Sequence, residues 1–277
     1  MDDSLPPIAF DTAAGPALAG AAGIGGYLRI SVRRQQRIGA VHFSDACLIR
    51  VDAGRKTLSS HYGSQSFGDD SYIIVNAGET LDLDNTPAPD SGVYRASCLS
   101  FDAALIRALP NSAHAPTPPR AFAGLLPGRG LDAAVEHAIQ GLLQPEQFSE
   151  ALLRHRLGEV LLAIATQGFQ LRVGRHAAVD EQLRGILSAS PDHSWTSAQA
   201  AEALHMSEAT LRRRLRAVGS SFRSQLDQVR LGVALALLQG SREPITQIAA
   251  RCGYASASKF SARFRHHYGL SPSELRD

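Results

Sequence analysis

The spacing of apolar residues divides the chain into a strand-rich first part and a helical remainder. From Leu28 to about Phe101, apolar residues alternate or cluster in short runs that are separated by turns containing Gly or Asp. Such runs with regularly spaced turns are typical of an antiparallel barrel or sandwich. The Ala- and Gly-rich stretch at 12–26 lacks this pattern, and we expect a flexible arm or a tail there rather than core.

Beyond a Pro-rich connector the apolar period becomes that of an amphipathic helix. Leu131, Val135 and Ile139 recur at intervals of four, and a second run with spacings of three and four covers residues 152–164. A short segment at 144–147 separates the two runs. The pattern therefore predicts two helices that pair as an antiparallel hairpin.

From Val179 onward the pattern predicts seven helices, most of them with a start or stop signal. Two stretches repeat one design: a short Ala-rich helix, a turn, and a capped second helix with apolar residues four apart. The two caps, Ser207 and Ser256, lie 49 residues apart. Each stretch is a predicted helix-turn-helix unit.

The solvent-facing side of the first unit carries a concentration of guanidinium groups. Apolar spacing buries Leu211 and Leu215, which leaves a polar face on the same helix. The candidate contacts on that face are Ala209, Arg212, Arg213 and Arg216. Arginine suits guanine edges and phosphates in a DNA major groove. An Arg-rich face can also be ordinary solvated surface, and the presence of the repeat favours nucleic acid.

The second unit offers a smaller exposed set with fewer cations. Its candidate DNA contacts are Ser256, Ala257, Ser258, Lys259 and Arg263. We expect the first unit to read sequence and the second to lean more on phosphates.

Charge separates the C-terminal third from the rest of the chain. Residues 1–175 hold 15 basic and 17 acidic side chains, whereas residues 176–277 hold 13 and 9. A net charge of +2 excludes a uniformly basic chromatin-type protein. No apolar run approaches the ~20 residues that span a bilayer, the N-terminus is acidic, and there are only three cysteines. We therefore expect a cytoplasmic protein with no membrane partner.

With these motifs, residues 180–277 resemble the DNA-binding domain of the AraC/XylS family of bacterial transcription regulators. The resemblance is carried by WTSAQAAEALHMSEATLRRRLRAVGSSFRSQL and by QVRLGVALALLQGSREPITQIAARCGYASASKFSARFRHHYGLSPSELR. It implies that a rigid helix at about 221–239 joins the two units, which enter adjacent major-groove segments.

The resemblance also implies which positions contact bases. They fall on Ala209, Arg212 and Arg213 in the first unit, and in the second on Ala257, Ser258, Lys259 and Ala262. The family usually has Arg where Ala262 stands and an aromatic or polar residue where Lys259 stands. These departures weaken base reading by the second unit.

The first half resembles the regulatory part of the same family, through ACLIRVDAGRKTL and VYRASCLSFD. The implied fold class is α+β, with an N-terminal cupin-like β-barrel, a helical dimerisation hairpin and an all-α domain of two helix-turn-helix units. The expected divisions are an arm or tail (1–27), a barrel (28–110), a linker (111–129), the hairpin (130–170), a linker (171–179) and the DNA-binding domain (180–277).

Catalytic chemistry is missing from the sequence. A catalytic cupin holds a metal with a His-x-His pair and a carboxylate, whereas this barrel offers only His42 and His61. We therefore expect no enzyme, no cofactor and no metal site. Cys47 and Cys98 either touch across strands and sense oxidation or are ordinary buried thiols, and Cys252 is expected to be structural.

These features predict a sequence-specific transcription regulator, expected to be an activator. Its partners would be promoter DNA as a duplex, a second copy of the chain, and RNA polymerase. The barrel receives either a small-molecule effector or a protein regulator, and the sequence leaves both open. An enzymatic barrel with an accessory DNA module is disfavoured by the missing metal ligands.

Overall fold

The computed structural model describes residues 17–109, 121–173 and 178–276. The N-terminal half holds two antiparallel sheets, one of six strands in the order β1-β2-β9-β4-β7-β10 and one of four in the order β3-β8-β5-β6. The strands are β1 (Ala17–Ala21), β2 (Gly25–Val32), β3 (Gln36–Phe43), β4 (Ala46–Ala53), β5 (Arg55–Ser60), β6 (Gly63–Phe67), β7 (Ser71–Val75), β8 (Glu79–Thr86), β9 (Tyr94–Phe101) and β10 (Phe122–Leu125).

The six-stranded sheet is buried on both faces, which explains the nearly continuous apolar character of β4. Cys47, Ile49 and Val51 face the space between the two sheets. Ala46 and Leu48 face the opposite way, toward the helices that cover the sheet. Successive side chains of a strand point to opposite faces, so a strand covered on both sides needs apolar residues at every position.

The fold class is α+β as expected, with N-terminal sheets and a C-terminal helical domain. Within the described ranges no strand pairing joins the two sheets, so they form an open sandwich and the expected barrel is not closed.

Part of the expected arm is a strand. Ala17–Ala21 pairs with the start of β2, from Ala17 opposite Arg29 to Ala21 opposite Gly25, and Ile24 in the turn is almost fully buried. Small residues allow this hairpin to approach the end of a helix, since the Gly240 backbone lies against Leu18. The expectation of a free arm is therefore wrong from residue 17 onward, and residues 1–16 lie outside the described residues.

The expected linker at 111–129 also contains structure. Phe122–Leu125 forms β10 and pairs with β7, from Phe122 opposite Val75 to Leu125 opposite Tyr72. Bulky apolar residues at both ends of this segment are buried, which a linker does not require. Residues 110–120 lie outside the described residues.

Three helices accompany the sheets: α1 (Ala103–Ala108), α2 (Arg129–Leu143) and α3 (Glu150–Thr166). The helices α2 and α3 are joined through the 3-10 turn Pro145–Gln147 and run antiparallel, because His137 meets Glu159 near one end and Gly141 meets Leu153 nearer the other. Their apolar faces pack on the outer face of the six-stranded sheet.

Seven helices follow, in agreement with the predicted number. They are α4 (Ala178–Ala189), α5 (Ser197–Ala203), α6 (Glu208–Ala217), α7 (Phe222–Gly240), α8 (Ile245–Arg251), α9 (Ala257–Tyr268) and α10 (Pro272–Arg276). The helices α5 and α6 form the first helix-turn-helix unit, and α8 and α9 form the second.

The second unit shares a core with the β sandwich, which the sequence pattern did not indicate. Leu231, Leu235 and Leu238 of α7 and Phe264 of α9 belong to the same buried cluster as Ile49 of β4. The first unit has a separate core around Leu183, Leu211 and Leu215. The long helix α7 contributes to both.

Candidate nucleic-acid interface

The first unit presents α6 through two caps and a small core. Thr196 forms a capping box with Gln199 at the start of α5, and the Ser207 hydroxyl accepts a hydrogen bond from the Thr210 backbone N–H at 3.2 Å. Leu211 and Leu215 lie on the inner face of α6 and are fully buried, as predicted. They share their cluster with Ala200 and Ala201 of α5. The opposite face of α6 is therefore turned to solvent.

That outer face holds the predicted first-unit residues. Ala209, Arg212, Arg213 and Arg216 are all exposed, together with Arg214 on the flank. Within the part of the chain that the structure describes, no hydrogen bond or ion pair involves any of these four guanidinium groups. The cost of their mutual repulsion is compensated when an anion binds there.

The second unit is built in the same way but with larger core residues. Phe260 and Phe264 of α9 are fully buried against Ile248 and Ala249 of α8. The Ser256 hydroxyl accepts a hydrogen bond from the Lys259 backbone N–H at 3.3 Å and so caps α9. Its hydroxyl is thus in use as the predicted cap, which leaves it less available for the DNA contact that was also predicted.

The remaining second-unit candidates differ in what they offer. Ser258, Lys259 and Ala262 are exposed, and Ala257 is half-buried. Arg263 is not free to point outward, because its Nη2 donates to Asp227 Oδ2 of α7 at 2.5 Å. This ion pair braces α9 against α7 and neutralises one of the predicted cations.

Arg230 of α7 is a structural residue that sequence reasoning missed. Its Nε donates to the Pro191 carbonyl and its Nη2 to the His193 carbonyl, both at 2.9 Å. The same guanidinium lies over Gly253, at the end of α8. Arg230 thus connects the loop before the first unit to the second unit, and this contact holds their relative positions.

Two cavities lie where the β sandwich meets the C-terminal helices. The larger, of about 460 Å³, is lined by His42, Cys47 and Cys98 of the sheets and by residues of α4, α7 and α9. The smaller, of about 160 Å³, is mainly apolar and includes Lys56, Cys98 and Leu235 in its wall. No sequence signal located these cavities in advance.

Lys56 is a fully buried cation beside the smaller cavity. Its Nζ donates to Asn85 Oδ1 at 2.9 Å, and burial lowers its pKa to about 8. The hydrogen bonds continue from Asn85 to Gln36 and from Gln36 to the Leu275 carbonyl of α10. A signal was available, because the two-residue period of β5 places Lys56 on the same face as the core residue Leu58.

The described residues contain neither a candidate membrane span nor a candidate metal cluster. No helix in those ranges is long and apolar enough to cross a bilayer. No group of three or more His, Cys, Asp or Glu side chains there has a geometry that holds a metal ion.

The chain is similar to known regulators in its C-terminal part. A helix-turn-helix domain family matches residues 200–277. The urease operon transcriptional activator of Escherichia coli is 32% identical over 129 residues, which are 45% of this chain and 44% of that protein. The regulator YdeO of E. coli K12 is 32% identical over 136 residues, 46% of this chain and 53% of that protein. The chain spans about half the length of the curated relatives it matches.

The whole fold is similar to that of a solved structure. Fatty-acid-bound ToxT from Vibrio cholerae superimposes with a TM-score of 0.62 at 16% identity, over 90% of this chain and 94% of ToxT. At this identity the likeness concerns the fold alone. The relatives named above are regulators, which agrees with the expectation that the chain is not an enzyme. The match over residues 200–277 and these relatives show that the C-terminal part of the chain, with its two helix-turn-helix units, is similar to helix-turn-helix transcriptional regulators, in agreement with the resemblance to the AraC/XylS family.

Proposed function

We propose that this chain binds double-stranded DNA through α6 and α9 and regulates transcription, as an activator. The observation that carries the proposal is the outer face of α6, where four exposed guanidinium groups have no anionic partner among the described residues. A helix of this size fits a major groove, where Arg212 and Arg213 reach guanine edges and Arg216 reaches phosphate.

The two units divide the work of recognition in this proposal. The first unit reads bases, with Ala209 close to the groove floor and able to contact a thymine methyl group. The second unit contributes Ser258 and Lys259 as contacts, with Ala257 beside them, whereas Ser256 and Arg263 position the helix. Phosphate contacts dominate its share of the affinity.

The direct test is selection of bound duplexes from a random library by the full chain, followed by affinity measurements on the selected site. We expect one enriched asymmetric motif, and an affinity that falls steeply with salt. The double variant Arg212→Ala/Arg213→Ala abolishes enrichment. Arg33→Ala removes an exposed arginine of the β sandwich and serves as the control that retains enrichment. Enrichment that survives the double variant would contradict the assignment of α6.

A second test separates base reading from phosphate binding. Lys259→Ala should weaken binding to selected and random duplexes alike and reduce the salt slope by about 1. A selective loss on the selected site would instead make Lys259 a base-reading residue.

We propose that α2 and α3 form the dimer interface. Leu152 and Leu162 of α3 are 39% and 52% exposed, and their spacing of ten residues places them about 80° apart around the helix, both away from its buried face. Sedimentation velocity should show a dimer for the chain and a monomer for Leu162→Glu.

The activator role implies contact with RNA polymerase, which transcription from a selected promoter in vitro would test.

The effector is proposed to be a small carboxylic acid with an apolar body. The ToxT structure described above contains an unsaturated fatty acid, and another ToxT structure contains (E)-4-(8-methylnaphthalen-1-yl)but-3-enoic acid; both ligands have this chemistry. In this chain the support is the apolar cavity with one buried ammonium, Lys56, in its wall. A protein regulator remains the alternative. Calorimetry with medium-chain fatty acids tests the proposal, and binding that is unchanged in Lys56→Met would contradict it.

A further inference from the structure

Two of the three cysteines lie together on the wall of the larger cavity. In the pairing of β4 with β9, Cys47 is opposite Ser100 and Ile49 is opposite Cys98. Cys98 is therefore two residues from the partner of Cys47, so both thiols point to the same face of the sheet. Both thiols line the cavity between the sheet and α7, and Cys98 retains accessible surface while Cys47 is buried.

The two thiols differ in acidity because they are hydrogen-bonded to each other. The bond from the Cys47 thiol lowers the pKa of Cys98 and raises that of Cys47. The Lys56 ammonium faces both sulfur atoms from the second sheet and also favours the Cys98 thiolate. The pair thus combines a more acidic, partly accessible thiol with a less acidic, buried one, which is the arrangement of a nucleophile and its resolving partner.

Cys252 provides a contrast within the same chain. It is fully buried at the end of α8, and burial raises its pKa to about 11. The thiolate is the reactive form, so Cys252 is expected to be inert in the folded protein.

We propose that Cys98 and Cys47 are a modification site at which hydrogen peroxide oxidises the pair to a disulfide. The Cys98 thiolate attacks one oxygen of the peroxide, the O–O bond breaks, and Cys98 becomes a sulfenic acid while hydroxide leaves and takes up a proton. The Cys47 sulfur then attacks the Cys98 sulfur, and a second water leaves with the thiol proton. The peroxide gains two electrons, one from each cysteine.

The modification site lies where it can act on the DNA-binding part. Gly232 and Ala236 of α7 and Tyr268 of α9 form the opposite wall of the same cavity. Cys98 lines the smaller cavity together with Lys56, so oxidation of Cys98 changes the surroundings of the buried ammonium.

The test uses the full chain after reduction and removal of the reductant. Hydrogen peroxide is added, free thiols are alkylated after unfolding, and the non-reduced digest is analysed by mass spectrometry. We expect a cross-linked peptide pair containing Cys47 and Cys98, formed within one chain, with Cys252 recovered as the alkylated thiol. This measurement needs no substitution and so does not depend on the folding of a variant.

Two variants assign the roles. Cys47→Ser should stop the reaction at a Cys98 sulfenic acid that a 1,3-dione traps. Lys56→Met should slow the loss of the Cys98 thiol by about tenfold, because less of it is thiolate. Equal rates for Cys98 and Cys252, or an intact Cys98 at peroxide concentrations that oxidise free cysteine, would overturn the proposal.

Discussion

At the scale of single residues, the exposed arginines of α6 and the buried Lys56 are opposite cases of one electrostatic rule. Arg212 and Arg213 remain in water, where their charge costs little and is available to a partner. Lys56 has lost nearly all its water and retains one strong hydrogen bond, to Asn85. Charges in water serve binding, whereas a charge inside a core reduces stability unless something repays it.

Replacing Arg213 by Ala should weaken binding to the selected duplex by about 1–3 kcal/mol and relax preference at one base pair. The reason is the loss of a bidentate contact to a guanine edge. Fluorescence anisotropy on the selected site and its single-base variants measures both effects. Arg33→Ala is the matched control, and equal affinities of Arg213→Ala and wild type for every duplex would refute the role.

Because Lys56 is buried, the free energy of unfolding should depend on pH in the alkaline range. Its folded pKa of about 8 is below the unfolded value, so the folded state releases its proton first and the free energy of unfolding rises with pH above about 8. Relative to Lys56→Met, wild type should gain about 2–3 kcal/mol between pH 7 and pH 10. Urea unfolding of both proteins at several pH values measures this gain. A difference that does not change with pH would show that Lys56 titrates normally.

At the scale of elements, the position of the two units depends on a close contact at the end of α8. Gly253 has a φ of 72°, and the Arg230 guanidinium lies directly over it. Gly219, at the end of α6, has a nearly equal φ of 70° but has open space around it. The two glycines thus share a backbone conformation and differ in their surroundings.

Alanine at these two positions should therefore have unequal effects. Gly219→Ala should cost about 1 kcal/mol from backbone strain alone. Gly253→Ala should cost about 2–4 kcal/mol, since its new Cβ would lie 2.5 Å from Arg230 Nη2 and 2.8 Å from the Pro191 carbonyl oxygen. Chemical unfolding followed by Trp195 fluorescence measures both losses. Similar losses would mean that Arg230 moves aside easily and does not brace the units.

At the scale of the whole molecule, the second unit and the β sandwich share one hydrophobic core. Leu235 of α7 belongs to the cluster that fills the sandwich, and Gln36 of β3 donates to the Leu275 carbonyl of α10. A ligand that changes the environment of Lys56 acts on a chain of hydrogen bonds that ends in α10.

The helix α7 contributes both to this shared core and to the separate core of the first unit, which predicts how the molecule unfolds. Trp195, the single tryptophan, packs with the first unit, whereas far-UV circular dichroism reports all elements. In wild type the unfolding transition measured by Trp195 fluorescence should coincide with the transition measured by far-UV circular dichroism. Leu235→Asp buries an unpaired charge at the junction and should separate them. Ala198→Asp adds the same charge at an exposed position of α5 and serves as the control. Separate transitions already in wild type would show that the two parts unfold independently.

The sequence by itself determined the local elements of this protein, because caps, turns and apolar periods act over a few residues. Such signals predict the seven C-terminal helices and the exposed face of α6. They also predict the burial of Leu211, Leu215, Phe260 and Phe264. Strands of small residues, such as Ala17–Ala21, have no such signal, since Ala and Gly differ too little in hydrophobicity to produce a clear alternation.

Only the tertiary structure decided the relations between distant segments. Three features depend on elements that meet only after folding. They are the pairing of Arg263 with Asp227, the contacts of Arg230, and the cavity lined by Cys98 and Lys56. Such contacts arise from the packing of whole surfaces and not from local spacing. The helix pattern therefore identified which side chains face outward. It did not identify which of them already pair with another residue, as Arg263 does with Asp227.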